Sequence, residues 1–131
     1  MMSKQMITGN EYSGDTVRSG SFKKIQYAMV ETSEGLGLLD KAIIDQHFVA
    51  RSRYNRLLSV LAAYTTTACI GVDEGTAIIV QGNKVTVTGE GQVVRLTLPL
   101  PRKLTHKEKG LVNLQNIRMD IYISGDSFTL N

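Results

Sequence analysis

Residues 41–46 make a short, almost continuous apolar run of β-branched type, which predicts a strand buried on both faces, as parallel sheets produce. Residues 51–64 change period. Leu57, Leu58, Leu61 and Tyr64 recur at i, i+1, i+4 and i+7, an apolar stripe that predicts a helix, while Arg53 and Arg56 lie three apart on a shared face left available to other groups. Threonines at 65–67 end that helix, and residues 68–72 return as a second apolar strand. Residues 41–73 therefore predict a strand–helix–strand unit. A right-handed crossover would put both strand ends on one edge of the sheet, bringing His47 together with Asp73 or Glu74. Beyond Glu74 the pattern is of short strands, at 76–80, 84–88, 93–98, 119–124 and 128–130, with Gln81-Gly82-Asn83 and Glu90-Gly91 as hairpin-type turns. The expected class is α/β: a partial parallel sheet with a strand–helix–strand unit, followed by a β-rich C-terminal half.

Other stretches carry weaker patterns. Residues 1–20 are polar and rich in glycine and serine, which predicts a loop-like lead-in. Residues 22–30 fit a short helix or a strand equally well, Gly35 and Gly37 mark a tight turn, and residues 99–116, with both prolines, predict a solvated excursion. The 131 residues suit a single domain, since a chain of this length buries roughly two-thirds of its unfolded surface. A net charge of +3 is mild and much of it is local, at Arg51, Arg53, Arg56, Arg102, Lys103, Lys107 and Lys109. A nucleic-acid surface would need a denser basic stripe interleaved with aromatics. No apolar run reaches the ~18 residues of a membrane span, residues 1–16 lack a signal-peptide core, and a cytoplasmic setting is expected. The single cysteine, Cys69, is expected to be a small buried core residue.

The chemistry concentrates where the two apolar strands end. Asp45-Gln46-His47 places a general base at the carboxyl end of the first, where open α/β sheets hold their ligands, and Asp73-Glu74 closes the second with carboxylates able to orient that histidine. Arg51, Arg53 and Arg56 gather at the start of a helix, where the macrodipole disfavours cations, so a partner carboxylate is implied. His106 reads as a surface histidine. Two histidines in such different settings and one cysteine give no metal-ligand spacing. No G-x-S-x-G elbow is present.

Four blocks together resemble the peptidase S51 family, which contains the cyanophycinases and aspartyl dipeptidases: Gly35-Leu36-Gly37-Leu38-Leu39, Ile43-Ile44-Asp45-Gln46-His47-Phe48, Arg51-x-Arg53-x-x-Arg56-Leu57-Leu58 and Gly71-Val72-Asp73-Glu74-Gly75-Thr76-Ala77. The similarity runs from about residue 35 to residue 91, with a weaker echo at 121–130. It implies a serine peptidase without cofactor or metal that cuts β-linked aspartyl-arginine units from cyanophycin, a polymer with an aspartate backbone and arginine side groups. By that resemblance His47 matches the catalytic histidine and Glu74 the acidic third member of the triad. Asp45, Gln46, Arg51, Arg53 and Arg56 match substrate-pocket positions. The family's nucleophile lies in a G-T-S-A-G-A elbow upstream of the histidine, and Ser3, Ser13, Ser19 and Ser21 lack its small-residue context. The chain is thus expected to be the C-terminal portion of a cyanophycinase-like domain, as a gene fragment or one subunit of a split enzyme. Such a portion would be inactive alone and would associate as a homodimer or with an N-terminal half. The alternative is a non-catalytic interaction protein, or an inactive gene fragment, whose arginine face binds acidic peptides or a partner subunit.

Overall fold

The computed structural model describes residues 3–13, 16–20, 22–106 and 110–130. In chain order its elements are β1 (Gln5–Ser13), β2 (Thr16–Ser19), β3 (Val30–Glu34), β4 (Ala42–Gln46), α1 (Tyr54–Ala63), β5 (Ala68–Val72), β6 (Thr76–Gln81), β7 (Lys84–Gly89), β8 (Val93–Thr97), β9 (Lys103–His106), β10 (Val112–Gln115), β11 (Arg118–Tyr122) and β12 (Ser127–Thr129). The strands form a central four-stranded sheet of order β11-β8-β5-β4, two three-stranded sheets, β2-β1-β3 and β12-β7-β6, and the pair β10-β9.

In the central sheet β4 and β5 run parallel, with Ala42 opposite Ala68 and Gln46 opposite Val72. β8 then pairs antiparallel with β5, and β11 antiparallel with β8. Successive β4 side chains enter different cores, which explains the unbroken apolar run. Ile43 packs with Cys69, Val94 and Leu96 under Leu57, Val60 and Leu61 of α1. Ile44 packs with Ile70 and Val93 against Val85, Val87 and Phe128 of the β12-β7-β6 sheet. A ten-residue helix is marginal by itself. Burying Leu57, Val60 and Leu61 contributes roughly 1.5–3 kcal/mol for each, so packing rather than propensity holds α1.

The α/β expectation is corrected. The described chain is 52% strand and 8% helix, a mostly β fold that no strand–helix–strand unit organises. Among the described strands only β4 and β5 form a parallel ladder. Outside residues 41–73 several strands alternate, as in β6, where half-buried and exposed positions succeed one another. One covered face and one open face is the antiparallel pattern.

Four local expectations are also corrected. The lead-in is strand for much of its length, since β1 pairs with β2 and β3. Its Gly9, at φ 92°, sits where the β1–β3 register shifts between Ile7 and Glu11, so the glycine marks a bulge rather than a loop. The excursion at 99–116 contains the antiparallel pair β9–β10, with Lys103 opposite Gln115. Gln81-Gly82-Asn83 does turn the β6–β7 hairpin, but Glu90-Gly91 carries the chain from β7 to β8, which belong to different sheets. α1 begins at Tyr54 rather than at residue 51 because Ser52 lies at φ 48°, outside right-handed helical geometry. Among the described residues no helix is long and apolar enough to cross a membrane.

Candidate active site

The carboxyl ends of β4 and β5 lie side by side, and the chain leaving β4 is fixed by one aromatic ring. Phe48 is fully buried, meets Tyr54 edge to face at 4.6 Å, and sits on Gly71 of β5 so closely that a Cβ there would lie 2.2 Å from its Cγ. A strand glycine often marks such a close approach, and that was the available signal for this anchor. Asp45 on one side and Phe48 on the other are both held inside, and His47 between them takes φ 50°. The left-handed conformation costs a non-glycine residue roughly 1–2 kcal/mol and is maintained where surrounding packing dictates it.

That turn sends the imidazole outward to the start of the β5–β6 connection, where Nδ1 lies 2.9 Å from Oε1 of Glu74. Asp73, the other carboxylate at this strand end, accepts the Ala50 backbone N–H at 2.9 Å and so fixes the turn after β4. Gly75 at φ 63° lets the chain turn directly from Glu74 into β6. The His47 and Glu74 side chains are 45% and 55% exposed, so their contact orients the ring more than it stabilises the fold. Both line a cleft of about 420 Å³ that also takes in Gln46 and Asp73, over an apolar floor including Ile44 and Ile78.

Behind the cleft, the fully buried Asp45 carboxylate receives Arg56, its Nε on Oδ2 at 2.7 Å and its Nη2 on Oδ1. Arg53 Nη1 donates to the Gln46 carbonyl at 2.6 Å and lies 3.7 Å from Asp45 Oδ1. The guanidinium of Arg56 also lies over the Phe22 ring, 5.6 Å from its centroid. Burial, reinforced by the charge of Arg56, lowers the Arg53 pKa from its ordinary value against the opposing pull of Asp45.

The substrate-pocket positions therefore separate. Gln46 and Arg51 are exposed and Arg53 is half-buried beside a recess of about 190 Å³. Arg56 was expected to remain available and does not: it is buried and bound to Asp45, the carboxylate that the clustered arginines implied. His106 stacks on Tyr27 at 3.8 Å, away from this site. Among the described residues no group of three or more His, Cys, Asp or Glu side chains could hold a metal ion. With Nδ1 held by a carboxylate, the imidazole keeps Nε2 for proton transfer, the arrangement a general acid–base needs.

Residues 8–88 match the profile of Peptidase family S51. The chain is 36% identical over 118 residues to a cyanophycinase of Trichormus variabilis, covering 85% of this chain and 39% of that protein. It is 30% identical over 118 residues to a cyanophycinase of Synechococcus elongatus, covering 85% of this chain and 36% of that one. A cyanophycinase of Geminocystis herdmanii is 33% identical over 108 residues, covering 77% and 39% respectively. The chain thus spans well under half the length of these relatives.

Proposed function

This chain belongs to peptidase family S51, and on that premise we propose that it carries the acid–base part of a serine-type peptidase acting on β-linked aspartyl-arginine units, as found in cyanophycin. The observation that carries the reading is the 2.9 Å contact between His47 Nδ1 and Glu74 Oε1 at the rim of the cleft. His47 Nε2 removes the proton of a serine hydroxyl as that oxygen attacks the scissile carbonyl, and then returns it to the leaving amine. Glu74 holds Nδ1–H, fixing the tautomer and stabilising the imidazolium that forms in between. Arg51 and Arg53 bind the carboxylates of an aspartyl substrate in this reading. Arg56 and Asp45 form the frame behind them.

The nucleophile comes, in this reading, from the elbow-bearing portion of a complete S51 protein, so the chain alone turns over nothing. The test is a chimera in which this chain replaces the matching segment of the Trichormus variabilis cyanophycinase, assayed for dipeptide release from cyanophycin. His47→Ala abolishes the release. Glu74→Gln lowers kcat by roughly 10²- to 10⁴-fold with little change in KM. A folded chimera without activity, or activity indifferent to His47→Ala, defeats the proposal.

A further inference from the structure

The carboxylate that holds His47 is itself held by little. The Glu74 side chain is 55% exposed, and among the described residues its hydrogen bond is to His47 Nδ1, so the place of the carboxylate depends on the backbone beneath it. That backbone is the connection from β5 to β6, and the loop from β7 to β8 grips it along its length. The Asp73 N–H donates to the Gln92 carbonyl at 3.1 Å, the Glu90 N–H to the Gly75 carbonyl at 3.0 Å, and the Gly91 N–H to Thr76 Oγ1 at 2.8 Å. Glu74 lies between these points and is reached through one side chain. The Thr76 hydroxyl donates to the Glu74 carbonyl at 3.0 Å while it accepts from Gly91, so its proton and a lone pair are both in use. Glycines let the two segments come this close. A Cβ at Gly89 would strike the Gly75 carbonyl, and one at Gly91 would lie 2.5 Å from Thr76 Oγ1 and 3.0 Å from the Glu74 carbonyl oxygen.

We propose that Thr76 is a positioning residue for the acid of the triad, its hydroxyl tying Glu74 to the β7–β8 loop and so aiming the carboxylate at His47 Nδ1. This role rests on the reading of His47 as general base and Glu74 as its partner. The two stand on separate connections, His47 after β4 and Glu74 after β5, so their 2.9 Å contact lasts only while both connections are pinned. Phe48 and the bond from Ala50 to Asp73 pin the first. Thr76 pins the second. A slip of about 1 Å would take the contact beyond hydrogen-bond range, and a misplacement of that size costs up to about 10²-fold in rate.

Thr76→Val keeps the shape of the side chain and removes the hydroxyl, whereas Thr76→Ser keeps the hydroxyl; circular dichroism confirms that each variant folds. On the chain alone, heteronuclear NMR of the imidazole nitrogens reads which of them carries the His47 proton when the ring is neutral, with Glu74→Ala as the reference for a lost contact. The wild type holds the proton on Nδ1. Thr76→Val moves it toward Nε2, as Glu74→Ala does, and Thr76→Ser stays with the wild type. In the Trichormus variabilis chimera Thr76→Val lowers kcat by about 10- to 10²-fold with KM unchanged, and Thr76→Ser restores it, whereas a threonine that bound substrate would show its loss in KM. The spectra need neither nucleophile nor substrate, so they decide this role even where the chimera is inactive and the wider reading fails. A Thr76→Val spectrum like that of the wild type, a Thr76→Ser spectrum like that of Glu74→Ala, or a chimera that depends on His47 yet keeps its kcat in Thr76→Val would each overturn the proposal.

Discussion

Removing the carboxylate of Asp45 tests most directly how the site is held. Asp45 is fully buried, and its oxygens take Nε and Nη2 of Arg56, the N–H of Gln46, and the nearby charge of Arg53 at 3.7 Å. Asp45→Asn leaves Arg56 as a buried cation with the Phe22 ring behind it and no countercharge. Breaking a buried pair from one side costs about 3–5 kcal/mol, and this substitution belongs at the upper end. The reverse deletion, Arg56→Met, is milder. Asp45 keeps the Gln46 N–H and the Arg53 charge, and methionine refills much of the volume, so about 2–3 kcal/mol is expected. Because each single variant orphans the other's partner, the double variant should cost less than the sum, with a coupling of about 2 kcal/mol. Urea unfolding followed by far-ultraviolet circular dichroism measures all four proteins, and the losses are large against a total stability of about 5–15 kcal/mol. Additivity within about 0.5 kcal/mol, or Arg56→Met proving the worse single change, would refute this account of the cluster.

Gly71→Ala should destabilise by about 3 kcal/mol, because the new methyl would lie 2.2 Å from Phe48 Cγ with both residues buried; urea unfolding reads this directly. Burial pushes the Cys69 thiol from the ordinary 9.0 up to about 12, so between these values the unfolded chain releases a proton that the folded one keeps. Stability is then lost as pH rises through that window, at roughly 1.4 kcal/mol per unit from this group, and the slope should flatten in Cys69→Ala. At the strained histidine, His47→Gly should be more stable than His47→Ala by about 1 kcal/mol in thermal unfolding, because glycine adopts φ 50° freely.

Whether an element could be read from the sequence depended on how much of its pattern was made by neighbours. β4 and β5 were legible because both of their faces are covered, which leaves an apolar run, and the leucine stripe of α1 repeats at helical spacing. The meeting of His47 with Glu74 followed from having those two strands in parallel order. β1 was not legible. Polar residues fill many of its positions and Gly9 looks like a break, whereas its strand state comes from pairing on both sides with β2 and β3. The overall class failed for a related reason: a pattern local to residues 41–73 was extended over a chain whose other described strands pair antiparallel. Arg56 was misjudged because its place on α1 showed a polar side chain beside the stripe but not that Asp45 would lie beneath it.

One turn, at the end of β4, sets a buried ion pair and an exposed one side by side. Asp45 and His47 are two residues apart on the chain, and in an uninterrupted strand both would point to one face. The left-handed φ of His47 breaks that alternation, so Asp45 stays inside to bind Arg56 while His47 swings out to Glu74. Gln46 couples the two halves, since its carbonyl accepts Arg53 and its side chain lines the cleft. The buried ion pair therefore supplies position to the exposed contact of His47 with Glu74. Strain at His47 is what keeps them apart, because relaxing its φ to the extended region would return the imidazole to the face occupied by Asp45 and take it away from the Glu74 carboxylate.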